Sequence, residues 1–374
     1  MIYNRRATEL FGSFFIMAAE KIHIEQFLEL AKHYPVIDVR SPAEYDHAHM
    51  PGAHSLPLFT DEERKVVGTT YKQQSREAAI KIGLDYFGPK MRLIVNSTES
   101  LVVSQNKEKQ DSRLVLVYCW RGGMRSGVVS WLLDLYGFKV YTLIGGYKKF
   151  RNYVLETFKL PFQFNILGGY TGSGKTELLK TLKEKKEPVI DLEDIAKHKG
   201  SAFGNIGMPE QPTQEMFENV LSFKLRTLSE IPPSGGGGAW LEDESQRIGH
   251  VNIPNDLWAT MRKSLVYFLN IPFEERLKHI VKEYGCLDKQ RLIDAIGRIR
   301  EKLGGQHAKQ AIQLLEEGNT EESFRILLKY YDKFYFRSLH NRENLNSLLH
   351  TVECKSVTPE NASQFIRHTQ YQST

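Results

Sequence analysis

No apolar run in this chain of 374 residues approaches the length of a membrane span, so nothing in the sequence calls for a bilayer. Cysteine is scarce: Cys119, Cys286 and Cys354 lie far apart, with no CxxC pair among them. That argues against a disulfide framework and a structural zinc site and suits a reducing compartment, so a cytoplasmic protein is expected. An excess of one charge is also missing. The 50 Lys and Arg against 45 Asp and Glu leave a formal +5, which permits a nucleic-acid partner without arguing for one. With 41% hydrophobic and 25% charged residues, wholesale disorder is excluded. The length leaves room for two domains of ordinary size, each with its own core.

The first residues, "MIYNRRATELFGSFFIMAAEK", pair two arginines with a short apolar patch broken by Gly12 and Ser13. A signal peptide is weighed and set aside, because the cysteine usage disagrees with export. Met17 stands beside Met1 as a candidate start, since folding pattern begins only after it. Residues 1–19 therefore read as an N-terminal extension.

Beyond it, strands and helices alternate. "IHIEQFLELAKHY" has helical spacing, "PVIDVRS" reads as a buried strand, and "MPGAHSLPL" as a turn followed by a short extended piece. "DEERKVVGTTYKQQSREAAIKIGL" reads as mainly helical, and the polar residues 96–113 as a surface excursion. "LVLVYC" is a continuous apolar strand, "MRSGVVSWLLDLYGF" an amphipathic helix and "KVYTLIGG" another strand. The pattern restarts at "FNILGGYTGSGKTELLKTLKEK", continues through "PVIDLEDI", "GAWLEDES" and "SLVYFLNIP", and from Phe273 reads as helices to about Leu349. "IPPSGGGG" (231–238) reads as a flexible loop inside the second unit. The fold class is thus α/β: two α/β domains with parallel sheets, over 20–152 and 160–374, and a helical C-terminal part. The seam falls in "YKKFRNYVLETFKLP", a helix ending at Pro161.

The first chemical signal is "VYCWRGGMRSG". Cys119 stands at the carboxyl end of a strand, where open α/β sheets bind ligands, and a helix begins near Met124. Trp120, Arg121, Gly122, Gly123 and Met124 can wrap backbone N–H groups around an anion, helped by the positive end of that helix. Arg125 adds a forked, permanent charge. The same surroundings lower the thiol pKa, so Cys119 is expected to be a thiolate nucleophile near neutrality. Cys119 and Arg125 are separated by five residues, the C-x5-R spacing of cysteine-dependent phosphatases. The segment "PVIDVRSPAEYDHAHMPGAHSLPL", with D-V-R, an acidic residue, a histidine and P-G-A, resembles the rhodanese pattern. Rhodaneses commonly have a loop one residue shorter, so this resembles a rhodanese-like domain with a phosphate-sized active-site loop. Cys286 and Cys354 lack such neighbours and read as structural.

The second signal is "GYTGSGKT", which matches G-x-x-x-x-G-K-[ST] between a strand and a helix, as a P-loop NTPase-like domain requires. Gly169, Gly172, Ser173 and Gly174 line a diphosphate with backbone amides; Lys175 neutralises its outer charge, and Thr176 could ligate Mg²⁺. In "AWLEDESQRIG" Asp243 is favoured as the metal- or water-positioning group, with Glu242 and Glu244 close behind and Arg247 as an accessory. His198 reads equally as a ligand contact or a structural histidine. "LLKYYDKFYFRSLH" interleaves aromatics with Lys329, Lys333 and Arg337, as an RNA-stacking face would, although its helical spacing favours core packing.

A rhodanese-like unit followed by a P-loop unit, with "DEERKVVGTTYKQQ", "YCWRGGMRS", "GGYTGSGKTELL", "DLEDIAKHKGSAFG" and "WLEDESQRIG", closely resembles the tRNA 2-selenouridine synthase family from about Ile22 onward. That resemblance implies a two-step change at the wobble uridine of tRNAs for lysine, glutamate and glutamine. The 2-thio group is geranylated from geranyl diphosphate, and selenium from selenophosphate then displaces the geranylated sulfur. It implies Cys119 as the catalytic residue, through an S-selanylcysteine intermediate, and a selenophosphate-producing enzyme as a partner. No firm cofactor or structural metal is expected. Two other readings stay open: a C-x5-R phosphatase with a regulatory P-loop domain, and a non-catalytic RNA- or nucleotide-binding module.

Overall fold

The computed structural model describes residues 19–105, 113–229 and 238–370. The candidate starts at Met1 and Met17, and residues 231–237 of the "IPPSGGGG" loop, lie outside these. The chain divides into two units between Val154 and Leu155, within the helix Gly146–Thr157.

The first unit is built on a five-stranded sheet of β1 (Glu20–Ile22), β2 (Val36–Asp38), β3 (His54–Ser55), β4 (Leu114–Tyr118) and β5 (Lys139–Leu143), in the order β1-β5-β4-β2-β3. Every pairing is parallel. All five residues of β4 are buried, as an unbroken apolar run demands of a strand covered on both faces. The sequence gives no sign of β1, whose three residues pair with Tyr141–Leu143.

The expected helical stretch after Asp61 is two helices, Asp61–Gln73 and Arg76–Phe87. The first opens with a capping box between Thr60 and Glu63. Residues 96–105 are a correction: they belong to the helix Met91–Gln105, not to a surface excursion. Ile94, Thr98 and Val102 recur every four residues and are buried. Ile94 and Val102 pack into the cluster formed by Val115, Val117 and Val129. Thr98 Oγ1 donates back to Ile94 O at 2.8 Å, so the polar side chain is satisfied within its own helix. Residues 106–112 lie outside the described ones.

In the second unit the sheet comprises β6 (Phe164–Gly169), β7 (Val189–Ile190), β8 (Ala239–Glu242), β11 (Leu265–Asn270) and β12 (Leu349–Glu353), ordered β12-β11-β6-β8-β7 and parallel throughout. Two short strands, β9 (Arg247–Ile248) and β10 (Val251–Asn252), form a separate antiparallel pair. Trp240 and Tyr267 of the sheet pack with Leu178 and Leu182 in one buried cluster. The helices after Phe273 surround a second, which includes Leu277, Ile296, Phe324 and Leu328 and takes in Phe203 from the "KHKGSAFG" segment. No helix among the described residues is long and apolar enough to cross a membrane.

Candidate active site

Cys119 is the first residue past the carboxyl end of β4, and Gly123 caps the helix Met124–Leu135 that follows. Gly122 turns the loop at φ +64°. Behind the loop Gly146, at φ +57°, closes the floor: a Cβ there would stand 2.2 Å from Cys119 O. The backbone of that floor then ties the loop down, with Tyr147 N donating to Cys119 O at 2.8 Å and Lys148 N to Trp120 O at 3.0 Å.

Cys119 is buried, and burial by itself pushes its thiol pKa up. Hydrogen bonds from the Ser126 side chain and from the backbone N–H groups of Ser126, Gly123 and Arg121 outweigh that, so the net direction is down. Ser126 Oγ lies 3.2 Å from Sγ. The Trp120 and Met124 side chains point outward, 39% and 52% exposed, so these residues shape the loop through their backbone.

Arg125 is part-buried in an ion pair. Its fork is on Glu44, Nη1 to Oε2 at 2.6 Å and Nη2 to Oε1 at 3.4 Å. Arg64 Nε joins the same carboxylate at 2.9 Å. Burial opposes ionisation of Glu44, but Arg125, the Ser41 backbone N–H and Arg64 hold its pKa down at about 2. Beneath, Asp38 and Arg40 of the D-V-R motif form a buried ion pair (2.6 Å), with the Arg40 guanidinium over the Tyr147 ring. Glu44 was missed as a partner of Arg125. In sequence it shows as the fourth residue of a capping box opened by Ser41 and as an acid of the rhodanese-like segment, and neither signal names Arg125 as its partner.

The P-loop joins β6 to the helix Lys175–Glu184, and Gly169, Gly172 and Gly174 all take positive φ. Lys175 Nζ donates to Gly169 O at 2.9 Å. Ser173 Oγ is buried without a hydrogen-bond partner among the described residues. Thr176 Oγ1 donates to Glu193 Oε2 at 3.2 Å. Burial and the charge of Glu244 push Glu193 up to about 8, although Lys175 pulls the other way. Burial and Asp243 push Glu244 up to about 7. Glu242 lies well above the usual carboxylate range through burial and the neighbouring acids Asp191, Glu193 and Glu244. Its Oε2 accepts from Leu192 N at 3.0 Å, whereas Oε1 has no hydrogen-bond partner among the described residues. An all-oxygen set of a hydroxyl and several carboxylates fits a hard divalent cation.

Asp243, favoured from sequence for this role, is engaged elsewhere. It accepts from Tyr335 Oη at 2.7 Å and pairs with the buried Arg342. Past the end of β8 the chain turns, with Glu244 N bonding back to Glu242 O at 3.0 Å, and Asp243 touches the acidic cluster through its charge on Glu244 while its own oxygens are held by Tyr335 and Arg342. Tyr335 Oη also accepts from Gly169 N at 3.1 Å, which ties Asp243 to the start of the loop. Arg276 ties down the other side, bonding Thr171 O at 3.0 Å and forking onto Asp332. Arg247 is exposed and bonds Gly249 O.

The "KHKGSAFG" segment lies against these acids. Gly200, at φ +58°, sits so close that a Cβ would stand 2.2 Å from Glu244 Oε2. The pKa of His198 is lowered by burial and by His250 and Arg298, and its Nδ1 has no hydrogen-bond partner among the described residues. Of the other cysteines, Cys354 is buried and Cys286 exposed.

Residues 162–359 match the family model described as tRNA 2-selenouridine synthase AAA domain, and residues 23–153 that of the rhodanese-like domain. A tRNA 2-selenouridine synthase of Hydrogenovibrio crunogenus is 36% identical over 344 residues, 83% of this chain and 91% of that protein. One from Bdellovibrio bacteriovorus is 32% identical over 368 residues, 87% of this chain and 94% of that protein. With both domains matched in order and relatives aligned along most of their length, the chain belongs to the tRNA 2-selenouridine synthase family.

Proposed function

We propose that this chain converts 2-thiouridine at the wobble position of tRNAs for lysine, glutamate and glutamine to 2-selenouridine in two steps, in the cytoplasm. In the first, the thiocarbonyl sulfur attacks C1 of geranyl diphosphate. The S–C bond forms, the C–O bond breaks, diphosphate leaves and the base loses its N3 proton. In the second, selenium from selenophosphate enters at C2 and the geranylated sulfur departs as geranyl thiol. The P-loop, with Lys175 and the Ser173 hydroxyl, takes the diphosphate of the first step. Thr176 and Glu193 would hold Mg²⁺, which would screen the diphosphate oxygens.

The observation that supports this most is the ring of N–H donors from Arg121, Gly123 and Ser126 around a buried thiol of lowered pKa. It supports Cys119 as the nucleophile toward selenophosphate. Attack at selenium leaves an S-selanylcysteine and sends the Se–P electron pair out with phosphorus as phosphite. The outer selenium then bonds C2 as geranyl thiol leaves, and a second thiol cleaves the S–Se bond, ending as a disulfide with Cys119. The phosphate-sized C-x5-R loop favours a second reading, attack at phosphorus. That leaves a phosphocysteine for water to hydrolyse and frees selenide at the oxidation level of the product. Intact-mass analysis after selenophosphate alone separates the two, because one adduct carries selenium and the other phosphorus. Nucleoside mass spectrometry on thiolated tRNA tests the whole reading: product should require both geranyl diphosphate and selenophosphate. Full 2-selenouridine formation without geranyl diphosphate would refute the first step.

A further inference from the structure

The helix Thr320–His340 has two unlike faces. Phe324, Leu327, Leu328 and Leu339 are buried, as the periodic pattern of the sequence suggests. The opposite face does not follow that pattern. Phe334 is 55% and Phe336 49% exposed, and Lys329, Lys333, Arg337 and His340 are exposed around them. At 3.6 residues per turn, Lys329, Lys333, Phe336 and His340 fall in one row, with Tyr330, Phe334 and Arg337 in the next. Each row holds an aromatic pair. The Phe336 and His340 rings stack at 3.8 Å, and those of Tyr330 and Phe334 lie 6.5 Å apart at 27°.

Charge on this face has one sign. From Leu327 to His340 the one acid is Asp332, and Arg276 engages it. The acids that open the helix, Glu321 and Glu322, are paired with Arg325. At the far end of the first row lies an open surface depression lined by His340, Asn344, Leu345, Asn346 and Ser347. The same helix contributes Tyr335 to the P-loop, so the exposed rows back directly onto the phosphate site.

We propose that this face docks single-stranded RNA, the anticodon loop of the tRNA, with bases stacked on Phe336, His340 and Phe334 and backbone phosphates on Lys333 and Arg337. Exposed flat rings with interleaved cations suit unpaired nucleotides, whose π-faces stack irrespective of sequence. A core-packing role does not explain them, since both phenylalanines are half in solvent. The proposal rests on the family's tRNA substrate but not on how the two reaction steps divide, and binding can be read without any donor present.

The test is fluorescence anisotropy of the full-length chain with an unmodified tRNA and with a hairpin of its anticodon stem and loop, over a range of salt. Phe336→Ala should weaken binding roughly five- to a hundredfold, the range expected for one stacked base. It should leave the slope of log Kd against log salt unchanged, and Phe336→Tyr should restore affinity. Lys333→Ala with Arg337→Ala should instead flatten that slope by about one to two units. Melting temperatures report whether each variant is folded. Wild-type affinity and slope in folded variants would overturn the proposal. So would a changed oligomeric state on light scattering with unchanged RNA binding, which would make the face a contact between copies.

Discussion

Ser126 Oγ stands 3.2 Å from Cys119 Sγ and 3.1 Å from Gly123 O, so a single hydroxyl has two acceptors within reach. It carries one hydrogen and can serve only one of them at a time. With a neutral thiol the S–H can donate to Ser126, which then donates to the carbonyl. With a thiolate the hydroxyl turns to sulfur. Ionisation at Cys119 is thereby coupled to the hydrogen bonding of the loop that cradles the anion.

Ser126→Ala should therefore raise the Cys119 pKa and slow thiol alkylation near neutrality. A hydrogen bond to a charged group is worth about 1.5–3 kcal/mol, so the thiolate fraction at pH 7 should fall about tenfold or more. The check is the rate of iodoacetamide modification against pH, with Ser126→Thr expected to retain the wild-type profile. An unshifted profile in Ser126→Ala would assign the low pKa to the backbone N–H groups alone.

Glu44 links Arg125 and Arg64, and its folded pKa of about 2 lies below the ordinary 4.5. A depressed carboxylate contributes stability that is present above its unfolded pKa and lost as pH falls through the folded value. The window here runs from about 4.5 down to 2. Glu44→Gln should lower the melting temperature at pH 7 and flatten its fall across that window. Parallel curves for wild type and variant would show that the triad contributes nothing to stability.

Much of this architecture was legible because local patterns agreed with the global fold. "LVLVYC" and "FNILGG" are apolar throughout, and each is followed by glycines and a helix, so both anion loops could be placed beyond strand ends. The helix through Thr98 was not legible, because "NSTES" hides its four-residue apolar spacing under residues that prefer turns. Asp243 shows the other limit. Three adjacent acids are indistinguishable in composition, and only the fold, which brings Arg342 from 99 residues away to pair with Asp243, tells them apart. The same holds for Phe334 and Phe336: helical period predicts a buried face, but not which aromatics fall outside it.

The acids around Thr176 give a prediction of opposite sign. Glu193, raised to about 8, and Glu244, raised to about 7, are easier to protonate in the fold than in the unfolded chain. Their share of stability is fully present below about 4.5 and is lost as pH rises through 7 to 8. A divalent cation at the cluster would offset that loss. Mg²⁺ should raise the melting temperature of the P-loop unit more at pH 8 than at pH 6, and Glu193→Gln should abolish the difference. A Mg²⁺ effect that is equal at both pH values, or that survives in Glu193→Gln, would place the ion elsewhere.

Lys175 tests how the chemistry divides between the two loops. Its ammonium bonds Gly169 O at 2.9 Å, at the mouth of a loop shaped for a diphosphate, and geranyl diphosphate is the one diphosphate in the proposed reaction. Lys175→Ala would leave the departing diphosphate without this cation. A single charge-assisted contact of about 1.5–3 kcal/mol predicts a loss in geranylation rate of roughly ten- to a hundredfold. The same variant should still selenate tRNA geranylated beforehand, because the Cys119 loop is untouched. Cys119→Ser should do the reverse, accumulating geranylated tRNA and forming no 2-selenouridine. Nucleoside mass spectrometry of the two variants on the two substrates decides between the assignments. Normal geranylation by Lys175→Ala, with selenation lost, would move the P-loop to a nucleotide or to the tRNA itself.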